Sequence, residues 1–336
     1  MTTVLCTLYN SLYLDKGLVL YDSLCECAKD FKLYVLCMDD KCYDVLTDLK
    51  QEHHIPVKLS DFEEGDEELL AAKANRSMGE YCWTCSSSFI RYVLKHYGED
   101  SCTYIDADMY FYNDPQILID EMLAAKKSVM VVPHRFPEGR KDEAKIVGEY
   151  CVEFNTFINN KEALVALEYW RNRCLECCSS LGDGVHWGDQ KYLEELVEKF
   201  DCVHVCQHPG AGLAQWNLIL YNTATQRTIV YRPSNEVNEL IFIHYQNISY
   251  ISRRIIKLGL KKNLPLDYRF VDMYYKEYLK EIDIKKQELK KKYDVDTLIL
   301  SHPAMGKGNS FIKNTFISRY YWYYKHLKNG QVLVRL

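Results

Sequence analysis

Thr103-Tyr104-Ile105 is a short run of β-formers that ends abruptly in Asp106-Ala107-Asp108, and few patterns restrict a fold so strongly. Aromatic and β-branched residues in such a run favour a buried strand. Two carboxylates one residue apart repel each other unless a cation lies between them. The strand must therefore surface where a ligand can reach both acids, which in an open α/β sheet is the carboxyl edge. Oxygen donors of this kind suit Mn2+ or Mg2+, whose remaining coordination positions substrate phosphates fill. The alternative is a pair of solvated turn aspartates ahead of the helix that follows Asn113-Asp114-Pro115.

The rest of the chain supplies such a sheet. Val4 to Leu8 reads as a strand, Tyr9 to Tyr13 as a polar loop, about Gly17 to Ala28 as a helix, and Phe31 to Met38 as a second strand ending in Asp39-Asp40. Strand, loop, helix and strand in that order predict a parallel βαβ unit with its ligand at the strand ends. No Gly-x-Gly-x-x-Gly follows the first strand, which disfavours a dinucleotide site. Further strands are expected around Val57, over Ser128 to Val132 and over Tyr150 to Ile158. Helices are expected over Ser86 to His96, from Pro115 to about Ala125, and over Glu162 to Cys178. The acidic run Asp61 to Glu68 reads as a solvated helix start.

Charge divides the chain. Residues 253–336 carry 19 Lys and Arg against 8 Asp and Glu, leaving 23 against 39 for residues 1–252. A basic part of this kind points to nucleic acid or an anionic membrane surface, or else packs on the acidic part. Phe311, Phe316 and Tyr320 to Tyr324 interleave aromatics with its cations, and no nucleic-acid motif is present, so the membrane reading leads. The N-terminus has no basic stretch before its apolar run, and no charge-free apolar segment approaches twenty residues; a cytoplasmic protein, peripheral at the inner face of the membrane, is expected. The fourteen cysteines are then expected as free thiols. Cys82-x-x-Cys85 and Cys174-x-x-Cys177 lie in helical segments without a Gly-rich knuckle, which argues against zinc.

The order of short motifs resembles that of glycosyltransferase family 8 and its relatives, nucleotide-sugar enzymes of the GT-A fold. It runs from Asp106-Ala107-Asp108 through Phe154-Asn155-Thr156, Gly188-Asp189-Gln190 and Trp216-Asn217 to a strand ending in His244, and covers about residues 3–250. The resemblance implies an α/β fold with a mixed, mainly parallel sheet flanked by helices. A catalytic domain would span 1–252, with nucleotide-binding residues in 1–115 and sugar and acceptor residues in 116–252, followed by a basic, helical C-terminal extension over 253–336. It implies that Asp106, Asp108 and His244 bind Mn2+ (or Mg2+). Thr7, Tyr9 and Asp39 would hold the nucleoside, with Tyr9 stacking on the base, unless Tyr9 and Asp39 are ordinary loop residues. Arg76 would approach the diphosphate or else make a surface ion pair. Asn155 and Glu153 would line the donor sugar, and Asp189 and Gln190 would stand near the anomeric carbon. Gly210 would permit close approach of a phosphate or sugar, or form a tight turn.

The chain departs from the pattern at Lys191, where the family has an acid, and after His244, where the Gly and Lys-Pro-Trp are missing. Arg253, Arg254 and Lys257 are then the candidates for the absent diphosphate-binding lysine. The function expected by the same resemblance is sugar transfer from a nucleotide diphosphate donor, UDP-linked, to a glycan or lipid-linked hydroxyl with retention. An inverting base among Asp183, Glu153 and Asp189 stays open. The alternatives are a nucleotidyltransferase, which would normally carry a Gly-rich basic loop near its N-terminus, and a carbohydrate- or polyanion-binding module.

Overall fold

The alternation read from the first forty residues seeds the main sheet. The computed structural model describes residues 2–179, 187–261, 265–300 and 331–335. β1 (Thr3–Tyr9) is buried along its length and pairs in parallel with β2 (Phe31–Cys37). Between them α1 (Leu14–Cys27) starts earlier than Gly17, because Asn10 caps a 3-10 turn over Ser11–Tyr13 that runs directly into it. α2 (Asp40–Leu49) leads to β3 (His54–Lys58), parallel to β2. The acidic run spreads over α3 (Leu59–Glu63) and α4 (Glu67–Lys73), where Asp66 caps and Glu67 and Glu68 sit at the positive helix end. α5 (Met78–His96) begins well before Ser86 because Ser77 and Glu80 form a capping box. Then come β4 (Ser101–Ile105), β5 (Met109–Phe111) and α6 (Gln116–Ala124).

β6 (Val129–Pro133), α7 (Ala144–Val147), β7 (Tyr150–Ile158), α8 (Lys161–Glu176), α9 (Leu193–Lys199) and β8 (Val203–Val205) complete the layers. The seven-stranded sheet has the order β3-β2-β1-β4-β7-β6-β8. β7 runs antiparallel to both neighbours while the other pairs are parallel, the expected mixed sheet. Near-continuous apolar strands need both faces covered. One face packs on α5 and α8 through Phe89, Phe157 and Trp170, the other on α1, α2 and α6 through Leu18, Val45 and Ile119. Each such fully buried side chain contributes about 1.5–3 kcal/mol.

The later chain builds three small sheets. β9 (Leu213–Ala214) precedes a meander of β10 (Tyr221–Thr225), β11 (Thr228–Tyr231) and β12 (Glu236–Glu239), and β13 (Phe242–His244) then pairs with both β5 and β9. β14 (Ser249–Ser252) and β15 (Ile255–Lys261) form a hairpin, α10 (Lys276–Tyr293) packs along α1, and β16 (Gln331–Arg335) returns to pair with β15. The extension is thus not purely helical, and position 252 falls at a hairpin turn inside one sheet. Val332 and Val334 are drawn back by a shared core with Ile256 and Leu258. α10 also carries its lysines onto acidic helices: Lys285 lies 2.7 Å from Asp22 and Lys292 2.9 Å from Asp48. Part of the charge polarity is therefore met inside the molecule. The aromatic stretch from Phe311 to Tyr324 lies outside the described residues, as does Asp183. All fourteen cysteines are free, and no described helix is long and apolar enough to cross a membrane.

Candidate functional site

Strand register brings the predicted metal ligands together. After β4 the chain turns through Asp106-Ala107-Asp108, closed by the Met109 N–H donating to the Asp106 carbonyl at 3.3 Å. β13 pairs antiparallel with β5 so that His244 lies opposite Met109, and the Tyr245 N–H donates to the Asp108 carbonyl at 2.9 Å. His244 Nε2 is consequently 3.1 Å from Asp108 Oδ1 and 3.5 Å from Asp106 Oδ2. Its Nδ1 lies 2.8 Å from Oε2 of Glu153, a fully buried residue of β7. Trp216 packs edge-on against the imidazole at 5.6 Å.

The electrostatics are those of a cluster short of positive charge. Burial pushes the Asp106 carboxyl up to about 8, with Asp108 and Asp189 adding to the rise and His244 opposing it. Burial also works against the Asp108 charge, but His244 holds that carboxyl below the usual range. His244 itself is raised well above its ordinary value: burial opposes its charge, and Asp108 and Glu153 outweigh burial. One imidazolium thus serves three carboxyl groups. Donor atoms of Asp106, Asp108 and His244 all lie within 4.8 Å of one another. Two hard oxygens and an imidazole nitrogen fit Mn2+ or Mg2+, with the cation taking over from the proton. Cys151, Glu153 and His244 form a second close group, but it lies on the Nδ1 side. There the Glu153 carboxylate accepts from the ring, the usual outer support of a metal-binding histidine.

Above the cluster is a cavity of about 390 Å3, lined by Asp106 and His244 together with Asp189, Gln190, Trp83 and Trp187. Asp189 accepts from the Ser86 hydroxyl at 2.6 Å, and burial pushes its carboxyl up to about 7. Gln190 donates to the Val147 carbonyl at 2.7 Å. Asn155 faces Tyr104 across β4 and β7, fully buried, with neither its amide nitrogen nor its oxygen partnered. The Thr7 hydroxyl is likewise buried and unpartnered. Such groups cost about 1–3 kcal/mol each when left dry.

Other expected residues have work elsewhere. Tyr9 is 3% exposed, its ring against Gly17 and its hydroxyl 3.4 Å from His54, so it belongs to the core and has no free face for a base. Tyr13 holds the open position instead. It is 39% exposed, and its phenol is pushed up to about 12 by burial and by Asp108, Asp15 and Asp106. By sequence both tyrosines read as residues of one polar loop, and what separates them is the space beside Gly17 that takes in Tyr9. Asp39 caps α2 through the Cys42 N–H at 2.7 Å and accepts from the Ser11 N–H and hydroxyl, tying down the Tyr13 loop. Arg76 spends its fork on the Cys174 and Leu175 carbonyls, both at 2.6 Å, and on Thr84, closing the carbonyl end of α8 rather than reaching a diphosphate. Gly210 admits the Glu239 carbonyl, which a Cβ would meet at 1.7 Å, so its missing side chain serves strand approach rather than a phosphate. Asn217 bonds the His134 and Gly212 carbonyls, and Lys191 those of Ala144 and Lys145 in α7. Arg253 is exposed, 3.9 Å from Asp296.

No protein-family model matches the chain. In sequence it is similar to two proteins of Bacillus subtilis (strain 168). "Uncharacterized protein YfnD" is 31% identical over 276 residues, covering 81% of this chain and 86% of that one. "Uncharacterized protein YfnF" is 30% identical over 291 residues, covering 84% and 93%. Among solved structures, galactosyltransferase LgtC in complex with donor and acceptor sugar analogs matches 84% of this chain and 96% of its own, with a TM-score of 0.54 at 12% identity. At that identity the likeness is one of fold, and the fold is the GT-A arrangement that the motif order implied.

Proposed function

We propose that this chain, which belongs to the family of the Bacillus subtilis proteins YfnD and YfnF, is a metal-dependent glycosyltransferase. It moves a sugar from a nucleotide diphosphate donor, UDP-linked by the motif resemblance, to a hydroxyl of a glycan or lipid-linked acceptor. The observation that carries this reading is the meeting of Asp106 and Asp108 with His244, from a distant part of the chain, beside a polar and aromatic cavity that Asp106 and His244 line at the carboxyl edge of the sheet.

Asp106, Asp108 and His244 would hold the divalent cation, with Glu153 keeping Nε2 of the imidazole turned toward it. When bound, that ion supplies Lewis-acid stabilisation of the charge developing on the departing nucleoside diphosphate. The acceptor oxygen forms its bond to the anomeric carbon on the face from which the phosphate oxygen departs, the electron pair of the broken bond leaving with the diphosphate and the acceptor's proton passing to that departing oxygen. Asp189 and Gln190 on the cavity wall position the sugar for a retaining transfer, and Trp83 and Trp187 offer flat faces for sugar rings. Mn2+-dependent hydrolysis across a panel of UDP-, GDP- and CDP-sugars tests the assignment without an acceptor. Turnover of one donor is expected, and Asp108→Asn is expected to lower it by at least ~100-fold, given the several kcal/mol such an ion supplies. A protein that turns over no donor, or an Asp108→Asn variant as active as the wild type, defeats the reading. Peripheral attachment to the inner face of the membrane through the basic C-terminal part belongs to the same proposal. Salt-sensitive co-sedimentation with anionic liposomes is the expected result, and failure to bind at low salt removes that part.

A further inference from the structure

α10 places a lysine where its apolar stripe calls for a hydrophobic residue. Tyr278, Ile282 and Leu289 are buried against the body of the protein, and Lys286 falls on the same stripe between the last two. Its side chain is only 14% exposed. The ammonium lies 3.4 Å from the centre of the Tyr250 ring and 3.6 Å from Asp15 Oδ2, the latter too long for a hydrogen bond. Lys16 stands 3.9 Å from the other oxygen of the same carboxylate, with its own ammonium over the Tyr13 ring at 3.8 Å. Two cations therefore share one fully buried carboxylate, whose Oδ2 has no hydrogen-bond partner. The next acid, Asp283, is exposed and accepts from Gln287.

One positive charge is in excess in this pocket, and the pocket adjoins the acid cluster. Tyr278 of α10 stacks on the Tyr245 ring at 3.9 Å, and the Tyr245 N–H donates to the Asp108 carbonyl at 2.9 Å. The Tyr278 hydroxyl is buried and unpartnered. Burial pushes the Lys286 ammonium down to about 8, with Asp15 opposing and Lys16 adding to the fall, so an arriving anion relieves a charge that is poorly compensated. A surplus of cations flanking a carboxylate pair suited to a divalent ion matches a ligand bearing several negative charges.

We propose that Lys286 and Lys16 together bind the diphosphate of the nucleotide donor, which makes α10 a wall of the donor site. This rests on the glycosyltransferase reading above. The competing role is a buried strut joining α10 to α1, and the two roles differ in sign at Asp15. Calorimetric titration of the full-length protein in Mn2+ with UDP, GDP and CDP first identifies the base that the wild type accepts. With that diphosphate, Lys286→Met is expected to weaken binding about 10- to 100-fold, the size of a charge-assisted hydrogen bond, and to erase most of the preference over the monophosphate. Lys286→Arg is expected to restore it. Asp15→Asn breaks the same ion pair yet removes a repelling carboxylate, and is expected to bind the diphosphate at least as tightly as the wild type. Lys286→Met with wild-type affinity overturns the inference alone, as does Asp15→Asn weakened as much as Lys286→Met. A wild type that binds none of the three diphosphates overturns the glycosyltransferase reading and this inference with it.

Discussion

Glu153 is a carboxylate with no exposure, and the atom it holds is the Nδ1 of a histidine whose other nitrogen faces two aspartates. A carboxylate there fixes the proton on Nδ1 and leaves Nε2 for a cation. Glu153→Gln keeps the shape but loses the charge, so Mn2+ affinity is expected to fall about 10- to 100-fold. Electron paramagnetic resonance of free Mn2+ measures this without reference to turnover, and an unchanged affinity shows that Glu153 does not orient the ring. Asp189 yields a second expectation, in pH. Its carboxyl rises from 3.8 to about 7 on folding, mainly through burial, so the folded protein holds this proton more tightly than the unfolded chain. The stability it contributes is complete below about pH 4 and is lost as pH rises through 7, a fall of up to about 4 kcal/mol. Asp106 shifts in the same direction, so the quantity to measure is the difference between wild type and Asp189→Asn in metal-free urea unfolding from pH 4 to 8. The variant is expected to show the shallower slope, and parallel curves contradict the assignment.

Elements were more readable in the sequence than the depth of single side chains. β4 and β13 announce themselves as apolar runs that stop at polar residues, β7 as a strand carrying Glu153 and Asn155 within it, and the motif order implied that they share one site. Tyr9 and Tyr13 could not be sorted by the same means, because what draws Tyr9 inward is the space left by Gly17 on α1. Arg76 resembled a phosphate ligand until the carbonyl end of α8 was brought beside it, a contact between elements far apart in sequence. Lys286 was hidden for the same reason: within the basic, helical extension nothing sets it apart from the other lysines until α10 is laid along α1. Gly210 shows how local the tolerance of an element junction is. The Ile241 N–H donates to its carbonyl at 2.9 Å, and the Glu239 carbonyl fills the place of a side chain. Gly210→Ala is therefore expected to cost about 1–3 kcal/mol by overpacking, and to disturb β13 and with it the placement of His244. Thermal melting measures the first effect and Mn2+ titration the second; a variant normal in both contradicts this account of the junction.

At the scale of the molecule, the chain beyond 252 is bound into the fold by α10 and by β16. Val332 and Val334 are 6% and 8% exposed, and each contributes about 1.5–3 kcal/mol by burial. Truncation after residue 330 is expected to lower the melting temperature and to open the β14–β15 hairpin to protease, and an unchanged melting profile shows that β16 is dispensable. The charge division seen in the sequence has the same origin in part, since α10 brings lysines to Asp15, Asp22 and Asp48. The distribution of the site along the chain has a consequence for biosynthesis. A ribosome releases the two aspartates of the β4 turn first, then Glu153, much later His244, and Lys286 later still. An unfinished or prematurely terminated polypeptide that stops before β13 carries the acids without their imidazole, and one that stops before α10 lacks the second lysine. On the proposed reading, competence for the donor is thus deferred until α10 has been made, so products truncated before it are expected to be inert rather than partly active.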